Sequence, residues 1–113
     1  MIIAIDYDET YTRDPEMWDA VINLFLRRGC EVICATSRRD TAENYREIER
    51  ELRPIPIVFC SYKAKAGEVR KAGHCVDIWI DDNPFSIDPD GEFINEETKR
   101  RFAEWKNKAE FYQ

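Results

Sequence analysis

Short apolar runs rich in β-branched residues recur at residues 2–5, 31–35, 55–60 and 76–80. Runs of this length, bounded by polar segments, predict buried strands. The stretches between them carry helical signals instead. Asp14-Pro15 supplies an N-cap followed by proline at the first helical position, and Trp18, Val21, Ile22, Phe25 and Leu26 then recur at helical spacing. That pattern predicts a helix over 15–28 that stops at Gly29. A second helix is expected over about 41–52, with Tyr45, Ile48 and Leu52 facing inward and Pro54 ending it. A third, shorter one spans 64–72 before Gly73.

Strand and helix thus alternate through the first 84 residues, which is the βαβ rhythm of a parallel sheet with helices on both faces. Right-handed crossovers fix its hand. The expected fold class is therefore α/β, a single Rossmann-like, doubly wound domain over 1–113. Its core is 1–84, and 85–113 forms a C-terminal turn and helix. Asn83-Pro84 and Asp88-Pro89-Asp90-Gly91 are turn signals. Beyond them a helix over about 95–112 would lay Phe102, Trp105 and Phe111 against the rest.

Composition adds limits. With 113 residues and 43% hydrophobic content the chain fits one core and leaves no room for a second domain. Its 17 Lys+Arg against 23 Asp+Glu give a net charge of -6, so the surface as a whole repels polyanions, although one cleft can still gather a phosphate. No apolar stretch approaches the roughly 18 to 20 residues a membrane span needs, and the N-terminal apolar run meets Asp6 too soon for a signal peptide. Cys30, Cys34, Cys60 and Cys75 form no Cys-x-x-Cys pair, which points to reduced structural thiols in a cytoplasmic protein.

Ligands of parallel sheets bind outside the carboxyl ends of the strands. The first strand ends in Asp6-Tyr7-Asp8-Glu9-Thr10, the second in Thr36-Ser37-Arg38 and the fourth in Asp81-Asp82, while Lys63 and Lys65 open the third helix. Crowded carboxylates repel one another unless a cation joins them, and all-oxygen ligands select a hard ion, Mg²⁺ above all. Such a cation beside a lysine and a hydroxyl is a receptor for a phosphoryl group.

The same residues resemble the haloacid-dehalogenase (HAD-like) superfamily of phosphohydrolases. Its Asp-x-Asp-x-Thr signature appears as Asp6-Tyr7-Asp8-Glu9-Thr10, its strand ending in Thr or Ser as Val32-Ile33-Cys34-Ala35-Thr36, its lysine as Lys65 or Lys63, and its acidic pair as Asp81-Asp82. The resemblance covers residues 2–84 and implies that Asp6 attacks phosphorus to give an aspartyl phosphate. Asp8 would protonate the leaving oxygen and then activate water. Thr36 and Lys65 would hold the phosphoryl oxygens, and Mg²⁺ would sit among Asp6, Asp81, Asp82 and the backbone carbonyl of Asp8. Thr10 would orient the loop, with Ser37, Arg38 and Lys63 as further substrate contacts. Lys65 is preferred over Lys63 because it places Val69 and Ala72 on the buried face behind it. Glu9 departs from the glycine common at that turn. Neither 8–36 nor 37–63 has room for a cap domain. An open site of this kind is similar to those of small phage-encoded members and of the phosphatase half of polynucleotide kinase-phosphatases. It implies a large or externally presented phosphomonoester, whether nucleotide, polynucleotide end, sugar phosphate or phosphoprotein, or a homo-oligomer whose neighbour closes the site.

Plainer readings compete. Ser37 reads best as a cap of the following helix, with Asp40 or Thr41 able to do the same work. Asp82-Asn83-Pro84 is also a turn. His74 reads as a surface residue, Trp18, Trp79 and Trp105 as packing, and Tyr7 and Tyr11 as aromatic flanks of the mouth that could stack on substrate. Two other classes of protein remain: a receiver-like phosphoacceptor, whose acceptor Asp would end the third strand where Cys60-Ser61 stand, and a non-catalytic HAD-like binding protein.

Overall fold

In a computed structural model, described over residues 1–52, 54–91 and 96–111, the chain forms β1 (Ile2–Ile5), α1 (Pro15–Arg27), β2 (Glu31–Thr36), α2 (Ala42–Glu51), β3 (Ile57–Phe59), α3 (Lys65–Lys71), β4 (Ile78–Ile80) and α4 (Glu96–Phe111). Short 3₁₀ turns follow β1 at Tyr11–Arg13 and β4 at Pro84–Ser86. The sheet is parallel throughout, in the order β3-β2-β1-β4. This is the α/β, Rossmann-like arrangement expected from the alternation of patterns.

Two strands are shorter than the apolar runs suggest. Pro56 has no N–H to extend β3, and its carbonyl only accepts from the Cys34 N–H at 2.8 Å. Ahead of β4, the Asp77 side chain takes the Ile2 N–H at 2.8 Å, a bond that a strand carbonyl would otherwise receive. The helix starts follow their caps: Asp14 accepts from the Met17 N–H and Thr41 from the Asn44 N–H, each at 3.1 Å. Because Thr41 is the N-cap of α2, Ser37 is not a cap, which corrects the plainer reading of that residue.

Successive strand residues face opposite sides, and both sides are covered. Ile5, Val32 and Cys34 meet Ile22 of α1 and Ile48 of α2, with Trp18 and Phe25 packed against them. Ala4, Ile33 and Ala35 meet Val69 of α3 on the other side, joined by Val76 and Trp79. Two covered faces explain why the strands read as continuous apolar runs rather than alternating ones. Among the described residues α1, α2 and α3 each bury only a narrow stripe. Leu26 and Tyr45 are exposed, as are Ala72 and Trp105, so four positions assigned inward from spacing lie outside the core. The side chains of Phe102 and Phe111 lie outside the described part of the structure. All four cysteines are free. Among the described residues, no helix is long and apolar enough to cross a membrane.

The connections set where a ligand can go. From β1 the chain moves outward through β2 to β3, then returns across the sheet by α3 to place β4 on the other side of β1. The crossovers diverge between β1 and β4, which opens a crevice beyond the carboxyl ends of those two strands.

Candidate functional site

β1 runs directly into Asp6, whose N–H donates to the Ile80 carbonyl at 2.9 Å, and β4 runs into Asp81 and Asp82. The crevice therefore gathers three carboxylates whose ligand atoms lie within 4.8 Å of one another. Lys65, the first residue of α3, reaches them from the other face. Its Nζ donates to Asp6 Oδ1 at 2.8 Å and to Asp81 Oδ2 at 2.7 Å, and the ammonium and the Asp81 carboxylate are each 2% exposed. Thr10, buried one turn after β1, places its hydroxyl 3.2 Å from Asp6 Oδ2 and 3.0 Å from Asp82 Oδ1, and accepts the Asp82 N–H at 3.1 Å.

The electrostatics follow from this crowding. Burial pushes the Asp6 carboxyl up to about 6; Lys65 opposes the rise and the hydrogen bond with Asp82 adds to it. Asp82 moves the opposite way, held below the usual carboxylate range by that bond and by Thr10. Burial alone would lower Lys65, but its bonds to Asp6 and Asp81 outweigh burial and raise it. One ammonium against three carboxylates leaves the cluster short of positive charge, and its donors are all oxygen. The residues present thus fit a hard divalent cation held by Asp6, Asp81 and Asp82.

A cavity of about 180 Å³ opens on this cluster, lined by Asp6, Asp8, Ser37, Lys65, Asp81, Asp82, Asn83 and Ser86. The Asp8 carboxylate is not part of the triad. It forms a bidentate pair with Arg38, whose Nε and Nη2 donate to its two oxygens at 2.9 and 2.8 Å. Thr36 is fully buried, and its hydroxyl accepts the Arg38 N–H at 3.2 Å, so Ser37 rather than Thr36 reaches the cavity wall. Lys63 is exposed, which leaves Lys65 as the lysine at the acids.

Backbone geometry marks the same edge. Glu9 has φ +63°, the left-handed conformation that glycine adopts without penalty, with its N–H on Thr12 Oγ1 at 3.0 Å. Ser61 and Tyr62 are left-handed too, tied to the β2 loop through the carbonyls of Arg38 and Ser37. Tyr7 and Tyr11, expected to flank the mouth, are instead buried and stacked at 5.9 Å. Burial raises the Tyr7 hydroxyl to about 12, helped by its bond to Glu51. Asn83, marked in the sequence only as part of a turn, and Ser86 join the cavity wall. Their signal was the polar turn after Asp82, whose Asn83 N–H and Ser86 hydroxyl contact Asp81.

Comparison of the chain with family models, with curated proteins and with solved structures found no match.

Proposed function

We propose that this protein is a Mg²⁺-dependent phosphohydrolase of the haloacid-dehalogenase type, cleaving phosphomonoesters through an aspartyl phosphate on Asp6. The observation that carries the reading is the Lys65 ammonium bridging Asp6 and Asp81, beside an Asp82 tied to Asp6 through Thr10. A nucleophilic carboxylate, a phosphate-orienting cation and an oxygen-only metal triad then share one crevice.

Asp6, as its carboxylate, would form the new P–O bond as the bond to the leaving oxygen breaks. Asp8 would give that oxygen its proton. Water would then attack the aspartyl phosphate, with Asp8 taking a proton from it, and inorganic phosphate would leave as the Asp6 carboxylate is restored. Lys65 and Ser37 would hold the equatorial oxygens. Mg²⁺ held by Asp6, Asp81 and Asp82 would neutralise charge developing on the phosphoryl group. A cavity of about 180 Å³ falls below the roughly 300 Å³ of pockets that enclose a whole small ligand. It suits a phosphoryl group whose leaving portion stays outside, in keeping with a large or externally presented substrate.

The receiver-like alternative is disfavoured by topology, since receivers follow the order 2-1-3-4-5 and this sheet runs β3-β2-β1-β4. A non-catalytic binding protein is separated by turnover. The test is phosphate release from p-nitrophenyl phosphate with and without Mg²⁺, alongside Asp6→Asn. Release that needs the metal and falls about 1,000-fold or more in the variant is expected for loss of a covalent nucleophile. Equal release by both proteins overturns the reading.

A further inference from the structure

Arg38 is paired with α2 on one side and with a loop carboxylate on the other. Its Nη1 donates to Glu47 and to Asn44 Oδ1, both on α2, and its guanidinium lies 5.2 Å from the centre of the Tyr7 ring. Tyr7 is buried and held by its own hydrogen bond to Glu51, so this side of the guanidinium rests on fixed structure. The remaining fork, Nε and Nη2, is closed by Asp8, whose side chain is half exposed on the loop after β1. Asp8 also lines the cavity, so the fork stands one carboxylate away from it. With both Asp8 oxygens engaged by the guanidinium, the group that the proposed reaction needs at the leaving oxygen is tied to the wall. A carboxylate and a phosphate present the same pair of oxygens to such a fork.

Resting on the phosphohydrolase reading, we propose that Arg38 is an exchange site for a second phosphate group of the substrate. A substrate bearing a phosphate beside the scissile phosphomonoester takes the Arg38 fork from Asp8, and the freed Asp8 turns to the leaving oxygen. Glu47 and Asn44 keep the guanidinium in place throughout. One anion replaces another, so no guanidinium is left without a partner. Arg38 thereby selects the substrate and positions Asp8 through the same contact. A substrate with a single phosphate leaves Asp8 on Arg38 and reacts slowly unless its leaving group needs no proton.

The test compares kcat/KM for adenosine 3′,5′-bisphosphate with that for the 3′- and 5′-monophosphates, in wild type and in Arg38→Gln. Wild type should favour the bisphosphate by about tenfold or more, the scale of one bidentate charge-assisted contact. The ratio should fall to near one in the variant, whatever its absolute rates. Arg38→Lys, which keeps the charge without the fork, should not restore it. In the Asp6→Asn background, titration calorimetry should give the same preference in binding, lost again on Arg38→Gln. A wild-type ratio near one, or a variant that slows all three nucleotides equally and keeps the ratio, overturns the exchange. Because p-nitrophenolate leaves without a proton, turnover of p-nitrophenyl phosphate with a nucleotide ratio near one sinks the exchange alone. No turnover of any of these substrates sinks the phosphohydrolase reading as well.

Discussion

Lys65 and Arg38 each hold two carboxylates beside the same cavity, yet they do so in opposite surroundings. Lys65 is in the interior, with Asp6 and Asp81 for partners, and each of its pairs links α3 to the end of a sheet strand. Arg38 lies near the surface, paired with half-exposed Asp8 and Glu47. Buried ions cannot lose a partner cheaply, because the remaining charge stays desolvated. A partly exposed ion with half-exposed partners loses one at less cost, because water reaches what remains. The inner wall is therefore fixed by the energetics of folding, whereas the outer wall is the one that the proposed exchange would rearrange.

Removing each cation in turn sharpens that contrast. Lys65→Met leaves Asp6 and Asp81 without their buried partner and should cost about 3 to 5 kcal/mol, with part of the loss recovered in Mg²⁺. Arg38→Gln, with half-exposed partners that water can reach, should cost less, about 1 to 2 kcal/mol. Urea denaturation with and without the metal measures both, and equal costs would erase the distinction between the walls.

Much of this arrangement was legible in the chain. Asp6, Asp81 and Asp82 stand at strand ends whose apolar runs are unmistakable, and a parallel sheet sends every such end to one edge. Lys65 rather than Lys63 followed from the register of α3, with Val69 buried one turn further on. The Asp8–Arg38 pair was not legible. It depends on which way a loop side chain turns and on α2 bringing Asn44 and Glu47 alongside. Ser37 was misread for a related reason: both it and Thr41 have capping side chains, and only the true start of α2 decides between them. Burial of Tyr7 and Tyr11 was missed because both rings join the core with Ile22 of α1 and Ile48 of α2, a placement set by the path of the loop after β1 rather than by the local pattern. Glu9, flagged as a departure from glycine, takes the positive φ that the glycine pattern anticipates.

A smaller effect is expected from pH. Asp6 stands near 6 in the folded protein against 3.8 ordinarily. Below the ordinary value both folded and unfolded chains hold the proton. Between the two values only the folded chain does, and above about 6 the folded chain must carry a buried negative charge. The stability that Asp6 contributes is thus complete at low pH and lost as pH rises through about 6. In EDTA, wild type should lose stability relative to Asp6→Asn between pH 4.5 and pH 7.5, as read by urea denaturation. A difference independent of pH would show that burial does not govern Asp6.

The inner wall as a phosphoryl-transfer site is tested most directly by rapid acid quench of wild type with ³²P-labelled substrate and Mg²⁺, followed by peptide mapping. Acid-stable, hydroxylamine-labile label on the peptide containing Asp6, absent without Mg²⁺ and absent from Asp6→Asn, is the expected result. Phosphate release with no protein-bound label at any quench time, retained in Asp6→Asn, would contradict it.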